Sequence, residues 1–230
     1  MSESRCPLCG APLYGWLELP DPASRPTVGR PVEAQGARLL ERCEDCGAAV
    51  EAAAAPVDLE AELDGLVRRQ DGGTEVAIAN RASWQASLGG EGWAAIDQRP
   101  GRLLLTPASL RLLAERTGSE LGELRFPPTG RNQGWMWQTL LNGLTFHPNF
   151  AREVRAGRLR AANARSGFAF AADCVATVLA APLVFLLAVP LELVAALARR
   201  GGEVVASLRR PSARPASPAA EAEPAVRAGR

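Results

Sequence analysis

Two cysteine pairs of the form C-x-x-C-G constrain this chain more than any other feature. The first lies in SRCPLCG (4–10) and the second in ERCEDCG (41–47), and 33 residues separate Cys9 from Cys43. Two such pairs supply the four thiolates that tetrahedral zinc prefers. The glycine after each pair permits a tight turn that aims backbone N–H groups at sulfur. We therefore predict a zinc ribbon over residues 1–50. Its predicted metal ligands are Cys6, Cys9, Cys43 and Cys46.

The predicted metal has a structural role, because four protein thiolates leave no open position for a substrate. Metal binding then supplies the folding free energy of a module too small to build its own core. A rubredoxin-like iron site and a redox dithiol are the alternatives. The chain shows no apolar leader before Cys6, so we expect a reducing compartment in which metal binding prevails over disulfides. The remaining cysteine, Cys174, lies in an apolar run and is expected to be inert.

Hydrophobic periodicity and capping residues predict an α+β fold for the rest of the chain. The expected helices are 57–69, 106–118 and 133–146, and the expected strands are 74–80, 120–126 and 201–210. We expect residues 57–210 to form one α/β domain with an apolar helical insertion over 168–198. The Pro- and Ala-rich segment 211–230 is expected to be a disordered tail.

The apolar run from Val175 to Leu197 spans 23 residues and contains one charged residue, Glu192, and two prolines, Pro182 and Pro190. An interfacial or re-entrant helix broken at the prolines, a transmembrane helix and a buried core helix are all compatible with this pattern. Arginines flank the run on both sides, so charge predicts no orientation across a membrane.

Aromatic residues lie shortly before the apolar run, at Trp135, Trp137 and Phe146. Such side chains suit a membrane–water interface, where amphipathic rings prefer to lie. They equally suit the buried face of an amphipathic helix. The sequence leaves both interpretations open.

The segment DGGTEVAIANRASWQASLGGEGWAAID (71–97) resembles the carboxy-terminal half of class I S-adenosylmethionine-dependent methyltransferases that often carry a zinc-ribbon leader. The helix and strand of 105–126 and the closing ARRGGEVVASLRR (198–210) follow the same order. The resemblance covers about 57–126 and 168–210. The matched residues of the first segment are Gly72, Gly73, Asn80, Ser83, Trp84, Gln85, Trp93 and Asp97.

The resemblance implies a cofactor-binding half that this sequence does not contain. No Gly-rich turn of the G-x-G-x-G type occurs in a strand-to-helix setting, although doubly wound folds cradle their cofactor there. Only 24 residues separate Cys46 from Asp71, whereas each strand–helix unit needs about 30 residues. We therefore predict a truncated, methyltransferase-like α/β remnant that does not bind S-adenosylmethionine.

No residue is predicted to be catalytic or cofactor-binding. His147, the sole histidine, lies in TFHPNF without a nucleophile or acid placed beside it by the sequence, and a loop role is expected. Asp97 is expected to be a turn residue, and Glu115 a solvated helix position.

These features predict a zinc-binding, methyltransferase-like accessory protein without independent catalysis. It would act in the cytoplasm, on a membrane surface or on a partner protein, peripheral or integral to the inner face of the membrane. The alternative is an S-adenosylmethionine-dependent methyltransferase for a lipid-like or small acceptor, with a noncanonical cofactor pocket or with the cofactor half supplied by a partner. A zinc-ribbon adaptor for nucleic acid is disfavoured because the net charge is only +1.

Overall fold

The computed structural model has a mixed α+β fold with two antiparallel sheets of four strands each in the described part of the chain. The described residues are 4–19, 38–52, 56–70, 73–96, 101–161, 164 and 166–210. The predicted disordered tail, Asp97 and most of the segment between the two cysteine pairs lie outside these residues.

The first sheet contains the strands that carry the cysteine pairs, in the order β1-β2-β3-β6. These strands are β1 Leu13–Leu19, β2 Arg38–Cys43, β3 Ala49–Glu51 and β6 Leu103–Leu104. β3 pairs with β6, with Ala49 opposite Leu104 and Val50 opposite Leu103. A strand from beyond the predicted ribbon therefore completes its sheet. The predicted boundaries of the ribbon and of the 57–210 domain stay predictions.

The second sheet has the order β4-β5-β8-β7, and all of its pairs are antiparallel. Its strands are β4 Val67–Gln70, β5 Gly73–Ala79, β7 Glu120–Leu121 and β8 Glu203–Arg209. Side chains alternate between faces along a strand. Val76 and Val204 lie on the face that enters the main hydrophobic core. Ala77 and Glu203 belong to the opposite face.

Six α-helices are present among the described residues, and they lie around the two sheets. They are α1 Leu59–Leu66, α2 Trp84–Gly89, α3 Pro107–Arg116, α4 Gly130–Asn142, α5 Phe150–Arg155 and α6 Gly167–Leu197. The helix predicted over 106–118 is confirmed as α3. Thr106 caps it by accepting a hydrogen bond from Ser109 N, and Gly118 follows it with φ +63°.

Three predicted elements have different ends in the structure. The helix predicted over 57–69 ends at Leu66, because the chain turns into β4 and pairs with β5. The strand predicted over 120–126 is two residues long, and only Arg125 makes a further bridge, to Val205. The helix predicted over 133–146 begins at Gly130, because Thr129 caps it by accepting from Asn132 N, and it ends at Asn142.

The apolar run forms one continuous helix, α6, of 31 residues. Pro182 and Pro190 lie inside it, so the break expected at the prolines does not occur. α6 is long and apolar enough to cross a membrane, yet only 11% of its most apolar window is buried. The described part of the chain therefore does not enclose α6 as a core helix.

Candidate functional site

The four predicted metal ligands form one compact cluster. All four Sγ atoms lie within 4.8 Å of one another, with 3.6 Å between Cys6 and Cys46 and 3.4 Å between Cys9 and Cys43. None of these cysteines forms a disulfide. Tetrahedral zinc with Zn–S bonds of about 2.3 Å places its sulfurs about 3.8 Å apart. The cluster is therefore a possible metal site with the spacing and the donor chemistry that suit zinc.

The backbone of both cysteine turns is shaped by glycine. Gly10 has φ +80° and Gly47 has φ +74°, a left-handed conformation that other residues adopt at a cost. A Cβ on Gly47 would also lie 3.0 Å from Thr106 Cγ2. The turns predicted from the glycines are present, and Gly47 is additionally required by close packing.

The electrostatic environment differs among the thiols. Burial raises the pKa of Cys6 and the pKa of Cys46. Burial also acts to raise the pKa of Cys43, but hydrogen bonds to its sulfur, chiefly from Cys46 N–H, outweigh it and the pKa falls below its ordinary value. Backbone N–H groups aimed at sulfur stabilise thiolate, which is the form that binds a metal.

An arginine contacts the glycine carbonyl of each cysteine turn. Arg5 Nη1 donates to Gly10 O over 3.0 Å, and Arg81 Nη1 donates to Gly47 O over 2.6 Å. Arg81 also lies over the Trp16 ring, 4.2 Å from its centroid, and burial lowers its pKa to about 10. A zinc ion held by four thiolates would carry a formal charge of −2, which positive charges beside the turns would stabilise.

Substitution of Arg81 is expected to weaken the second cysteine turn. Arg81→Met keeps much of the side-chain volume but removes the hydrogen bond to Gly47 O, which is expected to reduce stability by about 1.5–3 kcal/mol. Denaturant unfolding of the metal-loaded protein and the rate of metal release to a chelator measure the effect. Arg111→Met is the matched control, because Arg111 is exposed on α3. Equal losses in the two variants would contradict a specific role for Arg81.

The cysteine cluster is part of the main hydrophobic core. Cys6, Cys43 and Cys46 are buried in the same cluster as side chains from α1, α3 and the second sheet. Thr106 Oγ1, at the start of α3, donates to Cys46 O over 3.0 Å. The possible metal site therefore lies where the first sheet meets the rest of the fold.

Three residues of the segment compared with methyltransferases, Asn80, Ser83 and Gln85, make interior hydrogen bonds. Asn80 Nδ2 donates to Gly201 O over 3.0 Å, and Ser83 caps α2. Gln85 Nε2 donates to Asn132 O over 2.9 Å and to Glu192 Oε2 over 2.7 Å. These side chains connect β5 and α2 to α4, α6 and the turn before β8.

Glu192 is fully buried, although it belongs to the apolar run. Its Oε1 accepts from Gly202 N over 2.8 Å, and its Oε2 accepts from Gln85. Burial raises the pKa of Glu192. The one ionisable side chain of the apolar run is thus directed toward the protein and not toward the exposed side of α6.

His147 has a specific partner that the sequence did not indicate. Its Nδ1 lies 2.7 Å from Oδ2 of Asp173, a buried residue near the start of α6. Asp173 also accepts from the backbone N–H groups of Phe146 and His147, over 2.7 and 3.0 Å. The predicted loop role of His147 is consistent with this position, since the pair connects the loop after α4 to α6.

The other singled-out residues lie apart from the cysteine cluster. Glu115 is exposed on α3, as expected for a solvated position, and Cys174 is partly buried on α6.

Comparisons with protein-family models, with curated proteins and with solved structures found no match to this chain. The resemblance to methyltransferases therefore stays a prediction from the sequence.

Proposed function

We propose that this chain is a structural zinc protein that lies on a membrane surface through α6 and acts there as an accessory module without catalysis of its own. The observation that carries the proposal is the distribution of side chains around α6. Its inward stripe contains the polar residues Asp173 and Glu192 together with small residues such as Ala188. Its outward side is formed by large apolar residues. The exposed ones are Phe168, Val175, Val178, Leu179, Leu183, Phe185, Leu186, Leu187, Leu193, Val194 and Leu197.

An exposed apolar surface of this extent requires an apolar environment. Soluble monomers rarely expose a contiguous apolar patch of more than a few hundred Å², and α6 is about 46 Å long at 1.5 Å per residue. The uncovered apolar side of α6 would lie in the boundary between lipid headgroups and acyl chains, with the side that holds Asp173 and Glu192 turned to the protein. Arg199 and Arg200 are exposed just after α6, where they can contact anionic headgroups.

The anchoring of α6 along its length favours a position in the plane of the membrane. Asp173 binds the loop after α4, and Trp137 Nε1 donates to Ala181 O over 3.0 Å. Glu192 binds Gln85 near the other end of α6. A spanning α6 would carry α4 and these polar loops into the hydrocarbon, which irregular backbone exposed to lipid does not tolerate. A surface orientation leaves them in water.

The zinc part of the proposal rests on the donor set. Four cysteine sulfurs within 4.8 Å of one another would fill the coordination sphere of zinc, so the ion would hold the fold together and would not touch a substrate. Micromolar binding of S-adenosylmethionine by the purified chain in titration calorimetry would overturn the non-catalytic part and favour the methyltransferase alternative.

Flotation with liposomes tests the membrane proposal. The metal-loaded protein is expected to float with vesicles of phosphatidylcholine containing about one third phosphatidylglycerol. Leu179→Glu with Leu186→Glu places two carboxylates on the outward side of α6. Because each buried Leu contributes about 1.5–3 kcal/mol, membrane partitioning is expected to fall more than tenfold.

A matched control separates α6 from exposed apolar residues in general. Tyr14→Glu with Leu88→Glu changes two exposed positions outside α6, which are 54% and 59% exposed. This variant is expected to float like the unaltered protein. Flotation of the α6 variant at the unaltered level, or no flotation of the unaltered protein, would refute docking through α6.

A further inference from the structure

A cavity lies on the face of the second sheet that is turned away from the main core. It has a volume of about 440 Å³, within the range of small-molecule sites. The small side chains of Ala77 and Ala79 leave room above β5, and Leu66 and the residues 103–105 contribute apolar walls. Trp135 and Arg131 of α4 lie across it. Its lining residues include neither the four clustered cysteines nor any residue of α6.

Two arginines supply the charge of this cavity. Arg68 and Arg131 both line it and both form an ion pair with Glu203, which is 2% exposed. The Arg68–Glu203 distance is 3.0 Å. The Arg131 guanidinium lies over the Trp135 ring, 4.8 Å from its centroid. Each guanidinium has five N–H donors, so one carboxylate does not use all of them.

The balance of charge around the cavity is positive. Two arginines share the single carboxylate of Glu203, which leaves one positive charge uncompensated. The adjoining hollow adds Arg125 and Glu75, which pair with each other and leave the balance unchanged. Burial and the neighbouring Arg68 lower the pKa of Arg131. A bound anion would relieve this repulsion, since partly buried like charges destabilise one another.

We propose that this cavity binds a small organic carboxylate whose apolar body is aromatic or short and aliphatic. The carboxylate accepts hydrogen bonds from Arg68 and Arg131 in the fork geometry that guanidinium groups favour. The body packs against Trp135 and the leucines of the walls. This site goes beyond the proposed membrane function and is independent of it.

Titration calorimetry with phenylacetate on the full metal-loaded chain tests the site. Phenylacetate is expected to bind at one saturable site. 2-Phenylethanol, which lacks the charge, and inorganic phosphate, which lacks the apolar body, are each expected to bind at least tenfold more weakly. Failure of phenylacetate to bind, or equal binding of the alcohol, overturns the proposal.

Variants locate the binding in the cavity. Arg131→Gln and Arg68→Gln are each expected to weaken phenylacetate binding at least tenfold, whereas Arg111→Gln, at an exposed position of α3, leaves it unchanged. Ala77→Leu keeps both arginines and fills the space above β5, so it is expected to abolish binding. Far-ultraviolet circular dichroism and a melting curve establish that each variant is folded. Undiminished binding in folded Arg131→Gln or folded Ala77→Leu places the ligand elsewhere and refutes the site.

Discussion

Removal of the metal, by chelation or by Cys43→Ser, is expected to unfold the second sheet together with the first. Cys43 is fully buried in the cluster that also contains Val76 and Val204 of the second sheet. Structural zinc contributes about 10–16 kcal/mol of apparent binding free energy in zinc-finger peptides, whereas a whole domain is stable by about 5–15 kcal/mol. Without the ion, the two cysteine turns lose the bonds to the metal that hold them together, and the hydrophobic core that the two sheets share is expected to become exposed to water.

Circular dichroism melting and metal analysis measure this effect together. The unaltered protein is expected to hold about one zinc ion per chain, and the chelated protein to lose its cooperative melting transition. Cys174→Ser is the control, because Cys174 lies on α6 outside the cysteine cluster. It is expected to retain both the ion and the transition. A chelated protein that melts cooperatively at an unchanged temperature would show that the metal is dispensable.

Gln85→Leu is expected to be the most destabilising polar-to-apolar change outside the cysteine cluster. Leucine nearly preserves the volume, but Glu192 Oε2 and Asn132 O each lose a buried donor. A carboxylate that loses a buried partner costs about 3 kcal/mol or more. Burial already raises the pKa of Glu192, and loss of the Gln85 donor raises it further.

The sign of the pH dependence follows from this shift. A carboxyl group whose pKa is higher in the folded state than in the unfolded state contributes most to the stability of the protein at pH values below its unfolded-state pKa. This contribution is lost as the pH rises through the folded-state pKa. The destabilisation by Gln85→Leu is therefore expected to be smallest in acid and to grow toward neutral pH. Urea unfolding across this pH range measures it. Gln133→Leu, on the partly buried side of α4, serves as the control and is expected to show no such trend. A pH-independent loss would show that Glu192 is not involved.

The cluster of four cysteines could be predicted from the sequence because its pattern is local. Each pair requires only two cysteines and a following glycine within five residues, and each turn folds on its own geometry. The helix α3 was predictable for the same reason, since Thr106 and Gly118 mark its two ends. Arg81 gave no comparable signal, because its partner Gly47 O lies 34 residues away.

The remaining site residues act through distant partners. Sequence periodicity predicts Arg68 near the end of a helix, whereas it lies in β4 and pairs with Glu203, 135 residues further along. Glu192 is the one charged residue of the apolar run, and its partner Gln85 lies 107 residues before it. Sequence periodicity describes which face of an element is apolar, but it does not identify what covers that face. The cavity beside β5 therefore had no signature in the sequence.

The position of β8 has a consequence for the synthesis of this protein. β8 lies between β5 and β7, so those two strands have no common partner until residues 203–209 have left the ribosome. β5 and the apolar helix α6 both emerge earlier. Pairing across such a separation is slow because the loop-closure entropy must be overcome first. The nascent chain thus passes through a stage with unpaired strand edges and an uncovered apolar helix, when chaperone or membrane contact would matter most.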